Sequence, residues 1–560
     1  MRGRVIVLKF GGSVLTDERR LRIAAHEVYR WRREGWHVVA VVSAFAGRTD
    51  ALLASCRGDG IEADTFATAA ILSCGERESA AKLVACLDRV GLRATLLDPA
   101  AIRLRAAGPA LDAQPTGFDA HYVLGSLERC GVVVVPGFFA LDQQGRAVTL
   151  GRGGSDLTAL VLAHGLDAER CRLVKDVDGL YERDPARQGP PPRRYESANY
   201  ADVLRLDGSI VQHKAVRFAQ QRGLAFEVGA INAAGATRVD DAPTVLGNVH
   251  VGQPPLRVAL LGVGVVGGGV LDLLGQLPER FDVMAAAVRD IHGHAPTLEQ
   301  HGVRTISDNP VEAARCGADI VVEAIGGVES ARLAIGAALQ AGSHVVTANK
   351  AVLAEHGAEL FALARACDRR LLASASVGGG AAVLEAAVRI GACRVRGVLN
   401  GTANFILSRL ARGCTHEAAL SEARRLGLAE ADPSRDLDGR DALDKLRVLA
   451  LHLGIEESRS DIRRADIRLA PLGRCLRQVA TLDRDGTLTV ALEAVEPGDP
   501  LHDVPGEWNA AEVFDHEGRA HVVRGRGAGR WPTAEAVVAD LLELERARHG
   551  LASEVLVAGS

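Results

Sequence analysis

Asp441 and Lys445 stand four residues apart in a segment of helical spacing, so both side chains project from one face, with Leu443, Leu446 and Leu453 free to bury on another. A carboxylate that steadies an ammonium beside a reacting oxygen can deliver a proton. The same spacing also suits a solvated surface pair, and what separates the readings is whether the upstream carboxylates Glu430 and Asp436 converge on it. Earlier in the chain, Gly262, Gly264 and Gly267 spell GxGxxG after an apolar strand and at the start of a helix. Gly262 permits a tight turn, Gly264 lets backbone approach a pyrophosphate, and Gly267 lets helix pack on strand. The phosphates would meet free backbone N–H groups at the helix N-terminus. A hydride source on one side of a carbonyl and a proton donor near its oxygen are the two requirements of carbonyl reduction. A second chemistry opens the chain. Lys9 ends an apolar run and is followed by Gly11, Gly12 and Ser13, whose amides can cradle phosphate. In TLGRGGSD (Thr149–Asp156), Arg152 can clamp a carboxylate, and Asp156 can meet an ammonium or help hold a metal.

The elements needed to position these groups form two long α/β patterns. The first runs through Val5–Phe10, His37–Val42, Val132–Val135 and Leu173–Val174, with amphipathic segments such as Arg20–Trp31 and Ser155–His164 between them. Buried strands alternating with helices predict a mostly parallel sheet covered on both faces. The stretch Ala233–Pro255, rich in Gly, Ala, Asp and Pro, reads as the tail of that domain plus a linker. A second strand–turn–helix opens at Val258, and a third region begins near Ala373. The expected organisation is α/β throughout, with a first domain over 1–235, a linker over 236–255, a Rossmann dinucleotide-binding domain over 256–372 and an α+β catalytic and dimerisation domain over 373–560. The second Rossmann strand, Val283–Val288, ends at Arg289–Asp290. An acidic residue there suits the ribose hydroxyls of NAD and an arginine the 2′-phosphate of NADP, so the choice stays open, with the arginine favouring NADP.

Composition narrows the function classes. The 560 residues are 48% hydrophobic and 24% charged, and 66 basic against 70 acidic side chains leave a net charge of −4, which gives no basic surface for nucleic acid or anionic membrane. No apolar segment has the length of a bilayer span, and MRGRVIVLKFGGS carries no signal-peptide core. Ten scattered cysteines without CxxC spacing indicate reduced thiols and a cytoplasmic protein.

The C-terminal half resembles the homoserine dehydrogenases. Their motifs appear in order as DIVVEAIGG (Asp319–Gly327), HVVTANKAVLAEHGAEL (His344–Leu360), SVGGG (Ser376–Gly380), NGTAN (Asn400–Asn404), GLAEADPSRDLDGRDALDKL (Gly427–Leu446) and RGRGAGRWPTAEAVVADL (Arg524–Leu541). The resemblance implies reduction of L-aspartate 4-semialdehyde to L-homoserine with NADPH or NADH, in a dimer. It makes Lys445 the proton donor, with Asp441 holding it and Lys350 near the nicotinamide. Glu430 would accept the substrate ammonium, with Asp436 beside it. Asn400 and Thr402 shape the cleft or serve as turn and cap. Cofactor contacts would come from Gly262, Gly264, Val265, Val266 and Gly267 in the first turn. Arg289, Gly326, Lys350, Gly427, Gly527 and Gly529 complete them, the last two through a C-terminal segment that returns to the cofactor. Relatives hold a structural monovalent cation with a glutamate a few residues before VGGG. Here that position is Ser374, which leaves only backbone at Val377 and Gly379 as ligands and puts the cation in doubt.

Residues 1–235 resemble the aspartate kinases, through KFGGS, SAFAGRTD (Ser43–Asp50), SCGERES (Ser73–Ser79), PGFF (Pro136–Phe139), TLGRGGSD and VKDVDGLYERDP (Val174–Pro185). That resemblance implies transfer of phosphate from ATP, with Mg²⁺, to L-aspartate. Lys9 and Lys214 would neutralise the transferring phosphate beside Gly11, Gly12, Ser13 and Ser155. Thr49, Glu76 and Arg152 would hold aspartate near Asp156, and Asp176 and Tyr181 would line the nucleotide pocket. The departures are Lys175 where a threonine is usual, Arg187 one place late, and Gln212–His213 before Lys214. They leave a second reading, in which a degenerate kinase domain is kept for assembly or sensing. Fused relatives commonly carry two ACT regulatory domains between the enzymes, and this chain has no room for them.

Overall fold

The computed structural model describes residues 3–56, 64–187, 189–206, 208, 210–233, 235–249, 253–430, 432–458 and 462–548. The chain divides into two compact units after Gln253, the strip Val90–Leu92 grouping with the second.

In the first unit a nine-stranded sheet runs in the order Val245–Val249, Arg193–Asn199, Thr237–Asp240, Phe226–Ala230, Arg170–Lys175, Val5–Phe10, His37–Val42, Val132–Pro136, Ala94–Leu96. From Phe226–Ala230 to Ala94–Leu96 every pairing is parallel. Val5–Phe10 is buried along its whole length, as a central strand covered on both faces must be. The flanking helices start where the sequence supplies caps. Asp17 accepts from the backbone N–H of Arg19 and Arg20 to open Glu18–Arg33, and Gly153 opens Gly154–Gly165.

The stretch assigned to a linker over 236–255 needs correcting. Thr237–Asp240 and Val245–Val249 are strands of the first sheet. Thr237 faces inward, where its hydroxyl accepts from Leu180 N–H and donates to the Tyr195 carbonyl. Two strands this short, set among glycine, aspartate and proline, show too little alternation to be read from sequence.

The second unit opens with a six-stranded parallel sheet ordered Thr305–Ser307, Phe281–Ala287, Leu256–Leu261, Ile320–Glu323, His344–Thr347, Leu371–Leu372. Counted along the chain this is third, second, first, fourth, fifth, sixth, the doubly wound order whose crevice opens at the C-terminal ends of the first and fourth strands. A second, mostly antiparallel sheet follows: Arg463–Arg464, Leu488–Ala494, Leu476–Leu482, Arg394–Val398, Trp508–Phe514, Ala520–Arg526. One apolar cluster runs from Leu261, Val321 and Val345 through Leu384 and Val395 to Leu446 and Val513, so the two sheets share a core across the 372/373 boundary. The last helix, Arg530–Arg548, turns back onto Val265–Leu274: Ala534 lies 3.0 Å from where a Cβ on Gly269 would sit, Arg530 pairs with Asp272 at 2.6 Å, and Arg280 pairs with Glu545.

Candidate active sites

The glycine turn after Leu256–Leu261 is shaped by clearance. Gly262 has φ +91°, and a Cβ there would lie 2.6 Å from the Ala324 carbonyl oxygen; a Cβ on Gly267 would collide with the Gly262 carbonyl. Around Gly264, by contrast, a Cβ would meet nothing within 4 Å, and Val265 is 68% exposed. The N-terminus of Val265–Leu274, including the Val265 and Val266 amides, therefore faces open space, as an anion site requires. At the next strand end Arg289 and Asp290 are both exposed. Asp290 is a helix cap, accepting from Gly293 N–H at 3.0 Å, whereas Arg289 has no bonded partner among the described residues.

The fourth strand ends in a group that sequence reasoning missed. Glu323 is fully buried and accepts from the Thr347 hydroxyl at 2.5 Å, Ile325 N–H at 3.0 Å and the Asn349 amide at 3.4 Å. Asn349 also donates to the Gly327 carbonyl at 2.7 Å and caps Lys350–Ala366. The Gly326–Gly327 turn is thereby tied to the residue just before Lys350. Burial pushes the Glu323 carboxyl above its ordinary range, although these donors and the Gly326 N–H oppose it. The only signal in the sequence was an acidic residue closing the apolar run DIVVE.

Asp441, Lys445 and Lys350 form one cluster. Asp441 Oδ2 meets Lys445 Nζ at 2.8 Å and Oδ1 meets Lys350 Nζ at 3.0 Å. Lys445 also donates to the Leu399 carbonyl at 2.6 Å. Burying a carboxylate costs several kcal/mol, and burial alone would raise the Asp441 pKa; the two ammoniums outweigh it and hold the group well below the usual carboxylate range. Asp441 in turn raises Lys350, against its burial. The upstream carboxylates divide. Asn400 donates to Asp436 Oδ1 at 2.7 Å and to Asp441 Oδ2 at 2.8 Å, so Asp436 joins the cluster through an amide. Burial, followed by the charge of Asp441, pushes Asp436 upward. Glu430 is exposed and bonded to none of these groups. The two readings of Asn400 hold together, since its Oδ1 caps Gly401–Ala411 through Ala403 N–H at 2.7 Å while its amide reaches the carboxylates. Thr402 donates to the Leu428 carbonyl at 2.7 Å, which fixes the loop carrying Gly427 and Glu430.

The closing glycine segment reaches the same cluster indirectly. A Cβ on Gly527 would collide with the Asn509 amide, which donates at 3.0 Å to the Leu399 carbonyl that Lys445 uses. Gly529 immediately precedes Arg530–Arg548. At the position of the expected cation ligand, the buried Ser374 hydroxyl donates to Asp540 Oδ1 at 2.6 Å and Ser374 N–H to Oδ2 at 3.1 Å. A hydroxyl engaged in this way does not fit a monovalent cation held by a carboxylate at 374. Val377 and Gly379 are buried beside it. Among the described residues no cluster of three or more His, Cys, Asp or Glu side chains is placed to hold a metal.

In the first unit, a cavity of about 400 Å³ opens at the C-terminal edge of the sheet, lined by Lys9, Gly12, Thr49, Glu76, Ser155 and Asp156 among others. Lys9 Nζ meets Asp156 Oδ1 at 2.7 Å, and Lys175 Nζ meets Oδ2 at 3.0 Å, all three side chains being buried. Burial brings Lys9 down to about 8 despite Asp156, with Lys175 adding to the shift. Asp156 stays below its ordinary value against burial, held by both lysines. Glu76 accepts from Ala44 N–H at 3.1 Å, its Oε2 has no hydrogen-bond partner among the described residues, and burial pushes its carboxyl up to about 7. Gly11 and Ser13 adjoin Lys9, whose ammonium would be 3.0 Å from a Cβ on Gly11. Arg152 is exposed and unbonded among the described residues, as is Asp176. The Tyr181 hydroxyl donates to Asp178 at 2.6 Å. Lys214 does not meet Asp156. It binds Asp112 Oδ1 at 2.6 Å and the carbonyls of Leu150 at 2.8 Å and Ala113 at 3.2 Å.

A doubly wound sheet with an open glycine turn, sharing its core with a second sheet and with the helices that bring Lys350, Asp441 and Lys445 together, defines a dinucleotide-dependent oxidoreductase, and the unit before it is a kinase fold. Residues 262–374 match the NAD-binding domain of homoserine dehydrogenase and 386–542 homoserine dehydrogenase itself, while 4–226 match the amino acid kinase family. A homoserine dehydrogenase of Synechocystis is 34% identical over 322 residues, covering 52% of this chain and 73% of the relative. One from Pseudomonas aeruginosa is 36% identical over 318 residues, covering 52% and 73%. The crystal structure of a Thiobacillus denitrificans homoserine dehydrogenase is 34% identical with a TM-score of 0.49, covering 54% of this chain and 75% of that one. The chain belongs to the homoserine dehydrogenase family, with an amino acid kinase domain fused ahead of the dehydrogenase. Among the described residues no helix is long and apolar enough to cross a membrane.

Proposed function

We propose that the second unit reduces L-aspartate 4-semialdehyde to L-homoserine with NADPH, and that the first phosphorylates L-aspartate from MgATP. The observation that carries the first assignment is the buried Lys445–Asp441–Lys350 cluster with Asn400 and Asp436 bonded to it. A bound nicotinamide would supply the hydride that the carbonyl carbon takes up. Gly262, Gly264, Val265, Val266 and Gly267 take its pyrophosphate, with Gly326, Gly427, Gly527 and Gly529 framing the cleft. Arg289 binds the 2′-phosphate, favoured because Asp290 is already engaged as a cap. Asp441 holds both ammoniums in place, and Lys445 gives its proton to the developing alkoxide with Lys350 stabilising it. Exposed and unbonded, Glu430 is available to the substrate ammonium.

For the kinase, the carrying observation is the cavity holding Lys9, Thr49, Glu76 and Asp156 together. Thr49, Glu76 and Arg152 hold aspartate, Lys9 neutralises the transferring phosphoryl beside the Gly11, Gly12, Ser13 and Ser155 backbone, and Asp176 and Tyr181 border the nucleotide. Lys214 braces the arginine loop through Leu150. Asp156 serves as a lysine anchor, and Mg²⁺ accompanies the phosphates. Lys9, Thr49, Glu76, Ser155 and Asp156 around one cavity favour catalysis over a degenerate sensor. Ten unpaired cysteines are in keeping with a cytoplasmic enzyme, and the resemblance of the catalytic domain to its family favours a homodimer. The test is a pair of assays on the full chain: NADP reduction with L-homoserine, and trapping of an aspartyl hydroxamate from L-aspartate, MgATP and hydroxylamine. No NADPH removes the first assignment, and no hydroxamate removes the second.

A further inference from the structure

We propose that Lys175 is a catalytic residue of the kinase site, the second ammonium on the transferring γ-phosphoryl group; this rests on the kinase reading above. Lys9 pairs with Leu173 and Phe10 with Val174 on the neighbouring parallel strand. Lys175 is two residues beyond Leu173, so it shares the face of Lys9 and lies one pleat nearer the open C-terminal edge. Both side chains converge on Asp156 in the first turn of Gly154–Gly165. The next residue, Asp176, is exposed. Lys175 thus stands between the cavity that Lys9 lines and the chain leading to Tyr181, where a nucleotide would hand over its phosphate.

Donor accounting separates it from Lys214. An ammonium has three donors. Those of Lys214 are taken by Asp112, Ala113 and Leu150, whereas Lys175 has one partner among the described residues, the Asp156 carboxylate that it shares with Lys9. Two ammoniums on one carboxylate leave a buried net positive charge, which costs free energy until an anion arrives. In the reaction the bond between the β,γ-bridging oxygen and the γ-phosphorus breaks, and one forms from the aspartate side-chain carboxylate to that phosphorus. ADP leaves with the electron pair, and no proton is gained or lost. Charge builds on the bridging and equatorial oxygens, and Lys9 and Lys175 neutralise it from two sides.

The experiment uses the full chain with Lys175→Met, Lys175→Arg and Lys214→Met, measuring hydroxamate formation and calorimetric binding of MgATP and MgADP. Lys175→Met leaves Asp156 paired with Lys9, so thermal unfolding should stay within a few degrees of wild type. The expected result is loss of turnover by about a hundredfold or more, with MgATP affinity down about tenfold and MgADP little changed. Lys175→Arg should recover part of the turnover. Turnover within about threefold of wild type in Lys175→Met, or equal losses for both nucleotides, overturns the proposal. If wild type forms no hydroxamate, the aspartate kinase reading falls while the MgATP/MgADP comparison still decides Lys175. Wild type that binds neither nucleotide overturns both.

Discussion

The two units place the same small device in unrelated settings: one buried carboxylate between two ammoniums. In the dehydrogenase, Asp441 and Lys445 come from one helix and Lys350 from the start of another. In the kinase fold, Lys9 and Lys175 come from adjacent parallel strands and Asp156 from a helix N-terminus. What differs is the charge around them. Asn400 couples a second carboxylate, Asp436, to the dehydrogenase cluster, which balances its two ammoniums. Among the described residues no second carboxylate is bonded to the kinase cluster; Glu76 shares its cavity without a hydrogen bond to it, and burial pushes its carboxyl up to about 7. A balanced cluster suits a neutral carbonyl that acquires one negative charge and at once takes a proton. An unbalanced positive one suits a polyanion. The lesson is that a Lys–Asp–Lys group is not itself a chemistry, because the neighbouring carboxylate decides which charge it awaits.

The sharpest break in that comparison is Lys445→Ala. Homoserine oxidation should fall by about a hundredfold or more, the scale of a lost general acid, with NADP affinity largely kept. Near-normal turnover would remove Lys445 from the proton path. Next in size is Arg289→Ala. A charge-assisted hydrogen bond to the 2′-phosphate is worth about 1.5–3 kcal/mol, so NADP should weaken roughly tenfold to a hundredfold while NAD is nearly unchanged. Parallel losses for the two cofactors would show that Arg289 does not read that phosphate.

A smaller effect tests the detached carboxylate of the kinase site. Glu76 must be ionised to receive the aspartate ammonium, and its pKa is raised to about 7. The KM for aspartate should rise as pH falls through 7, by up to about tenfold per unit, and flatten above it. Glu76→Gln should raise KM and abolish that dependence; a wild-type KM independent of pH between 6 and 8 would separate Glu76 from aspartate binding. Least of all should be the response to sodium or potassium. With the Ser374 hydroxyl given to Asp540, either ion should change homoserine oxidation by less than about twofold at constant ionic strength, where screening is held fixed. Saturable activation beyond that would call for ligands other than a side chain at 374.

What could be read from sequence follows the range of the interaction. The turn around Gly262 and the Asp441–Lys445 pair are local, set by spacing within one segment, and both were legible. The helices read over Arg20–Trp31 and Ser155–His164 followed from apolar spacing and are found as Glu18–Arg33 and Gly154–Gly165, whereas the strand order of the Rossmann sheet was not legible. Contacts that depend on strand register were out of reach. Nothing near Lys175 in sequence announces Asp156, nineteen positions earlier, and the family spacing points to Lys214 for the phosphate, with Lys175 only a departure from the usual threonine. Asn400 presented itself as a cap or a cleft residue, and only the packing of Ser434–Leu437 and Arg440–Leu453 against it makes it both. The strands Thr237–Asp240 and Val245–Val249 were hidden because two strands so short, of such composition, carry almost no periodic signal.

The packing of Arg530–Arg548 on Val265–Leu274 has a consequence for how the molecule is made. The Arg280–Glu545 pair joins residues 265 positions apart, so the helix that begins the nucleotide crevice waits for its cover. At a synthesis rate of about 5–20 residues per second, the wait is roughly 13–50 s. During that interval Gly269 and the apolar face around it stay open to water and to other chains. Nascent dehydrogenase should therefore remain a client of holding factors, and unable to retain dinucleotide, until the Arg530–Arg548 segment has left the ribosome.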